Sequence, residues 1–241
     1  MDFVNFNIVK WFALCPAIAD QKGWTVLAEK HPLCLGVLNE SPVDLIPPMM
    51  RRRMSYLSKL AVQTAIRLSA GTDIDYIVFA SRHGELSRTV KLIEDILGGN
   101  GASPIIFSQS VHNTAAGLFT IATKQAVPVC SLAAGENSLH SALIEASCYL
   151  QENPADKVLL VNFDEPLPEP YQEFEQQAYQ GFALGLLLTS GDQLQLKSIQ
   201  QGQLSENTVP QAFSCIDYLL SDNKSVSISS KKSRWIWEKN R

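Results

Sequence analysis

A carboxylate and an imidazole four residues apart are the best-spaced reactive side chains in this sequence. Glu136 and His140 lie in AAGENSLHSALIEA, and positions i and i+4 share one face of a helix. A Glu–His pair so placed could move a proton, and so serve a decarboxylation or a hydrolysis. The same two residues also read as a carboxylate at a helix head and a buried, hydrogen-bonded histidine, which asks for no reaction. Cys130 stands six residues before Glu136 in the apolar run VPVCSLA, where a thiol packs as a small hydrophobe.

The remaining reactive types are sparse. His31, His83 and His112 complete the histidines, and none of the four is followed by Gly-Thr. His83, in SRHGE, reads as a loop or strand-end residue. No Gly-x-Ser-x-Gly occurs, which excludes a hydrolase nucleophile elbow. Gly98-Gly99-Asn100-Gly101 lacks the Gly-Lys-Ser/Thr of a phosphate loop. The five cysteines, Cys15, Cys34, Cys130, Cys148 and Cys215, are irregularly spaced with no Cys-x-x-Cys pair. They indicate neither a metal site nor a disulfide framework, and reduced thiols in a cytoplasmic protein are expected. No cofactor is implied. Arg51-Arg52-Arg53 is either a solvated helix start or a contact for an acidic partner.

These residues need elements to hold them. Residues 4–14 form a candidate strand. Leu57, Leu60, Ala61, Thr64, Ala65 and Leu68 recur with helical period over Ser55–Ala70. Strands are expected at Asp75–Ala80, Val127–Ala133 (buried), Lys157–Phe163 and Phe182–Leu188. Helices are expected at Ser87–Leu97, stopped by Gly98-Gly99, and at Glu136–Leu150 after a tight Ala134-Gly135 turn. Between Asp164 and Gln180 the acidic, proline-rich DEPLPEPYQEFEQQAYQ is expected to be an exposed loop, since its charges have no evident partners. Pro16, Pro32, Pro42, Pro47 and Pro48 punctuate an irregular stretch. From Gly191 the pattern changes: a possible helix (PQAFSCIDYLL), a polar stretch and the aromatic end RWIWEK. Alternating strands and helices without polar alternation in the strands predict an α/β sheet covered on both faces. The chain's 241 residues, 46% of them hydrophobic, suffice for one such domain over 1–190 with an extension, 191–241, packed on it.

The segment SPIIFSQSVHNTAAGLFTIATKQAVPVCSLAAGENSLHSALIEA, residues 103–146, resembles the central segment of β-ketoacyl synthases of the thiolase superfamily. Arg53-Met54-Ser55 with Lys59-Leu60-Ala61 resembles the family's helix start, and KVLLVNFDE its next core strand. The likeness runs from about residue 50 to 190 and implies the N-terminal half of a thiolase-like fold, a mixed sheet covered by helices. By that resemblance the nucleophilic cysteine, at the head of a buried helix, falls on Glu136. A thiolate there would be stabilised by the helix amides; a carboxylate is stabilised too, by typically 0.3–1 kcal/mol, but accepts acyl groups poorly. The family's decarboxylating histidines, one in a His-Gly-Thr motif, have no counterpart in this sequence.

What the resemblance implies is a non-catalytic subunit akin to chain-length factors of type II polyketide systems, those of bacterial aryl polyene clusters in particular. Such a subunit pairs with a full-length β-ketoacyl-ACP synthase, is served by an acyl carrier protein, and narrows a shared acyl tunnel. The pairing segment would be Ser103–Thr120. Phe107, Gln109 and His112 would be tunnel or gate residues, with Asn113, Ala116 and Gly117 in the interface. Arg51, Arg52 and Arg53 would meet the carrier protein. Ordinary interface packing remains open for each tunnel residue, as do an independent acyl-thioester enzyme using Glu136 and His140, and a scaffold without influence on product length. The formal net charge of −4 does not favour a nucleic-acid partner. No apolar run reaches the ~18–20 residues of a membrane span. The N-terminal apolar patch is broken by Asp2 and Lys10 and lacks a basic leader, so no signal peptide is expected.

Overall fold

Alternating burial along the first strand, β1 (Phe3–Leu14), sets one margin of the sheet. The computed structural model describes residues 3–16, 18, 23–24, 42–200 and 208–240; His31, Pro32 and Cys34 lie outside the described residues. After a short helix α1 (Pro48–Arg51) comes α2 (Tyr56–Ser69), capped by Ser55, whose hydroxyl accepts the Ser58 N–H. Strand β2 (Tyr76–Ala80) leads to α3 (Leu86–Leu97), which ends at Gly98 as the sequence predicts. Two helices, α4 (Pro104–Ser108) and α5 (Thr114–Thr123), precede β3 (Val129–Leu132). A 3-10 turn, Gly135–Asn137, runs into α6 (Ser138–Glu152), so the α-helix begins two residues after Glu136. Strands β4 (Lys157–Asp164) and β5 (Phe182–Gln200), helix α7 (Gln211–Leu220) and strands β6 (Ser225–Ser229) and β7 (Ser233–Lys239) complete the chain.

The seven strands form one mixed sheet in the order β3-β2-β4-β5-β7-β6, with β1 on β5. β3, β2 and β4 are parallel; the remaining pairs are antiparallel. Both faces are covered, as expected. Ile77, Phe79, Leu159 and Val161 point to α2 and α5, while Val78, Ala80, Val158 and Leu160 point to α6 and α7. The alternation follows from the two-residue period of a strand. Phe79 meets Phe163 edge-on, centroids 5.9 Å apart. Helix α2 lies directly on β5 at Gly185, where a Cβ would sit 2.4 Å from Leu68 Cδ1.

The structure corrects three readings. β3 is not buried: among the described residues it ends the sheet and pairs on one side only, and its residues are half-buried. An apolar run cannot distinguish a strand flanked by two neighbours from one whose second edge is open. Residues 164–180 are only partly exposed. Asp164, Leu167, Gln177 and Tyr179 are buried, because the charges do have partners. Glu175 accepts the N–H groups of Leu167, Gln176 and Gln177. Finally, β5 continues through Gly191 to Gln200, and β7 then pairs with its far half. The polar and aromatic stretches of the tail are strands of the same sheet. Among the described residues no helix is long and apolar enough to cross a membrane.

Candidate functional site

The parallel strands β2, β3 and β4 end side by side, and the turns that follow them meet around the head of α6. Glu136 occupies the 3-10 turn there, half-buried. Its Oε2 accepts the backbone N–H of Lys231 from the turn between β6 and β7, at 3.4 Å. Next to it Asn137 Oδ1 accepts from Trp235 Nε1 at 2.8 Å and from Gln211 Nε2 at 3.2 Å. The tail therefore closes over the turn where the resemblance places a nucleophile.

His140, one turn deeper, does not face Glu136 as a base. It is fully buried. Nδ1 lies 2.5 Å from Gln211 Oε1, and Nε2 accepts from Trp237 Nε1 at 3.0 Å. Those contacts fix the tautomer with the proton on Nδ1. Burial pushes its pKa down to about 3, against a smaller opposing effect of the Gln211 hydrogen bond. Both nitrogens are engaged with the tail and the ring stays neutral near pH 7.

Cys130 sits in β3 beside Tyr76 and Glu145. Burial raises its thiol pKa, and the charge of Glu145 adds to the effect. Neither influence activates a thiolate, in keeping with a packed thiol. Tyr76 donates to Glu145 Oε1 at 2.7 Å and stacks on Tyr149, centroids 4.3 Å apart.

The pairing-segment residues separate into two groups. His112, Asn113, Ala116 and Gly117 line one side of an open groove of about 650 Å³, and Val129 and Ser131 of the edge strand β3 line the other. Gly117 faces out, and a Cβ there would meet nothing within 4 Å. Ala115, beside them in sequence, packs inward against the chain's own core. Phe107 and Gln109 lie outside the groove lining. Phe107, on α4, is 62% exposed, as is Ile105; Ile121 on α5 is 66% exposed. Gln109 turns back to accept from Arg88. Helices α4 and α5 thus carry exposed apolar side chains, and α5 flanks a sheet edge that has no second neighbour among the described residues.

Arg51–Arg53 ends α1 rather than starting a helix. Arg51 donates to Ile46 O at 3.2 Å, whereas Arg52 and Arg53 are exposed. His83 lies in the turn after β2, as read.

The sequence did not single out Asp164. It is buried at the end of β4, and its Oδ1 accepts from Ser81 Oγ at 2.8 Å and from Arg82 N at 2.7 Å. Burial raises its pKa to about 7, only partly offset by those hydrogen bonds and by the Arg82 charge. Glu85 is a second buried carboxylate, tied to Ser55 and Ser58 at 2.7 and 2.5 Å and so to the cap of α2. Among the described residues no cluster of ligands suits a metal ion.

A family model described as β-ketoacyl synthase, N-terminal domain, matches residues 24–238. No curated protein matches the chain. Among solved structures, one is the ketosynthase ApeO in complex with its chain length factor ApeC from Xenorhabdus doucetiae. The matched chain of that complex is 28% identical and superposes with a TM-score of 0.88, over 98% of this chain and 100% of that one. The ishigamide ketosynthase/chain length factor is 15% identical with a TM-score of 0.65, over 83% of this chain and 68% of that one. A β-ketoacyl synthase from Burkholderia phymatum is 12% identical with a TM-score of 0.60, over 83% and 65%. The last two speak for the fold.

Proposed function

The chain belongs to the β-ketoacyl synthase family, with the thiolase-like N-terminal fold, and from that premise we propose that it is a non-catalytic chain-length-factor-like subunit. It pairs with a β-ketoacyl-ACP synthase and shapes the acyl tunnel of a type II polyketide system, of the aryl polyene kind. The observation that carries this reading is the half-buried carboxylate of Glu136 at the turn between β3 and α6, fastened to the chain's own tail. A carboxylate attacking a thioester would yield an anhydride, so the acyl chain stays on the partner's thiol. The far half of β5 with α7, β6 and β7 closes this end of the sheet. The likeness to a chain of a ketosynthase and chain-length-factor complex over its full length supports the same reading.

The partner surface is the groove between α5 and β3. There the free edge of β3 offers main-chain hydrogen bonds to a second sheet, and the exposed Ile105, Phe107 and Ile121 of α4 and α5 are further apolar area for the same partner. A growing acyl chain that meets side chains from this groove is opposed by overpacking of about 1–3 kcal/mol, and each 1.4 kcal/mol slows elongation about tenfold. Arg52 and Arg53 are the contacts for the acidic carrier protein. Co-expression with a β-ketoacyl-ACP synthase is expected to yield a heterodimer in which mass spectrometry finds the acyl group on the synthase alone. An acyl adduct on this chain during turnover would overturn the reading.

An independent acyl-thioester enzyme using Glu136 and His140 is disfavoured by the two tail contacts that take both nitrogens of His140.

A further inference from the structure

Ser81 uses every polar group it has, and each goes to a different part of the fold. Its N–H donates to Leu132 O at the end of β3, at 3.1 Å. Its carbonyl lies 3.0 Å from His112 Nε2, which must therefore carry the proton. Its hydroxyl donates to Asp164 Oδ1 at 2.8 Å and accepts from Gly84 N at 2.8 Å. Ser81 is fully buried, and Asp164 nearly so. One residue therefore joins the end of β4, the turn after β2, the edge strand and the lip of the groove.

The turn is shaped to receive the histidine. Gly84 has a left-handed backbone, φ +55°, and a Cβ there would sit 2.9 Å from His112 Cδ2 and 3.2 Å from its Cα. Only glycine gives both the backbone shape and the space. The hydrogen bond to Gly84 N and the Asp164 bond to Arg82 N hold the turn in this conformation from within.

We propose that Asp164 is a positioning residue for His112, acting through Ser81 to fix the imidazole at the lip of the groove between α5 and β3. The assignment deepens the partner-surface reading and rests on it for its purpose, though not for its geometry. Asp164 never touches the groove; its carboxylate orients the Ser81 hydroxyl, which holds the turn, which aims the Ser81 carbonyl at the ring. The charged and titratable residues that interact with Asp164 are Arg82, His83, through its backbone N–H, and Tyr179, with Glu136 lining the same small cleft. None of them lines the groove.

The test uses the full chain labelled with 15N-histidine, His112 being identified by the signal lost in His112→Asn. A hydrogen-bonded Nε2–H exchanges slowly with water and gives a persistent signal. The signal is expected in the unsubstituted chain and in Asp164→Asn, whose amide oxygen can accept the same two bonds. In Ser81→Ala and Asp164→Ala, with circular dichroism unchanged, exchange is expected to quicken by roughly two- to tenfold, the worth of one net hydrogen bond. Should Asp164→Ala fail to fold, Ser81→Ala decides. A persistent signal in folded Ser81→Ala overturns the proposal, and so does a loss in Asp164→Asn as large as in Asp164→Ala. Because the readout needs no partner, failure to form a heterodimer would count against the partner surface and leave this assignment standing.

Discussion

The imidazole of His140 lies flat against the indole of Trp235, ring centroids 4.6 Å apart and planes 5° from parallel. The helix head is thereby stacked on the last strand of the chain, and the stack is completed by hydrogen bonds from Trp235 to Asn137 and from Trp237 to His140. Replacing Trp235 with Ala is expected to cost about 3–5 kcal/mol, in the range of aromatic truncations in a core. Urea unfolding followed by far-ultraviolet circular dichroism measures it; a cost under about 1 kcal/mol would show that the tail is not fastened there.

Acid should loosen this fastening. The folded-state pKa of His140 is pushed down to about 3, while the unfolded side chain binds a proton near 6.5. Between those values the unfolded state binds more protons, so stability falls as pH drops below 6.5 and is unaffected by this group above it. The denaturation midpoint of the unsubstituted chain should therefore fall relative to that of His140→Gln between pH 6.5 and 4.

Asp164 has the opposite sign. Its folded pKa is raised from 3.8 to about 7, so the folded state holds the extra proton. Its contribution is full below pH 3.8 and is lost as pH rises towards 7. Asp164→Asn removes the ionisation while keeping an acceptor oxygen. The variant should gain on the parent chain between pH 5 and pH 8, by roughly 1.4 kcal/mol for each pH unit of that range below the folded pKa. Urea midpoints at the two pH values give the comparison, and an unchanged difference would remove the raised pKa from the account.

Gly117 separates folding from partnership. With open space where a Cβ would stand, Gly117→Ala should stabilise α5 by about 0.8–1 kcal/mol. Gly117→Trp should leave the melting temperature within a few degrees yet abolish co-purification with the synthase. A tryptophan variant that still elutes as the heterodimer would move the interface elsewhere.

Phe107→Ala and Arg52→Glu test the two remaining contacts. The phenylalanine is exposed, so its truncation should shift stability by no more than about 0.5 kcal/mol while weakening co-purification with the synthase; an undiminished heterodimer would take Phe107 out of the partner surface. The charge reversal should weaken carrier-protein binding most at low salt, read by titration at two ionic strengths.

Periodicity made the covered sheet and its helices legible, because Ile77 and Phe79 against Val78 and Ala80 are a local pattern. Glu136 was legible because its neighbours in sequence carry the resemblance. What decides its surroundings was not: Lys231 is 95 positions away, and no residue near Asp164 in sequence announces Ser81, 83 positions upstream. The segment after β4 was misread in part for that reason: Glu175 takes up N–H groups of its own segment, but it also stands 4.0 Å from the guanidinium of the distant Arg82. Phe107 and Gln109 were grouped with His112 by proximity in sequence, whereas the end of α4 sends the glutamine back to Arg88 and leaves the phenylalanine outside the groove.

The unshared edge of β3 carries a cost for a cell that makes this chain alone. Main-chain donors and acceptors left without a neighbour invite any extended peptide, including a sister molecule's. Surplus copies should therefore precipitate or be degraded, so that the amount of usable subunit tracks the amount of synthase available to cover it.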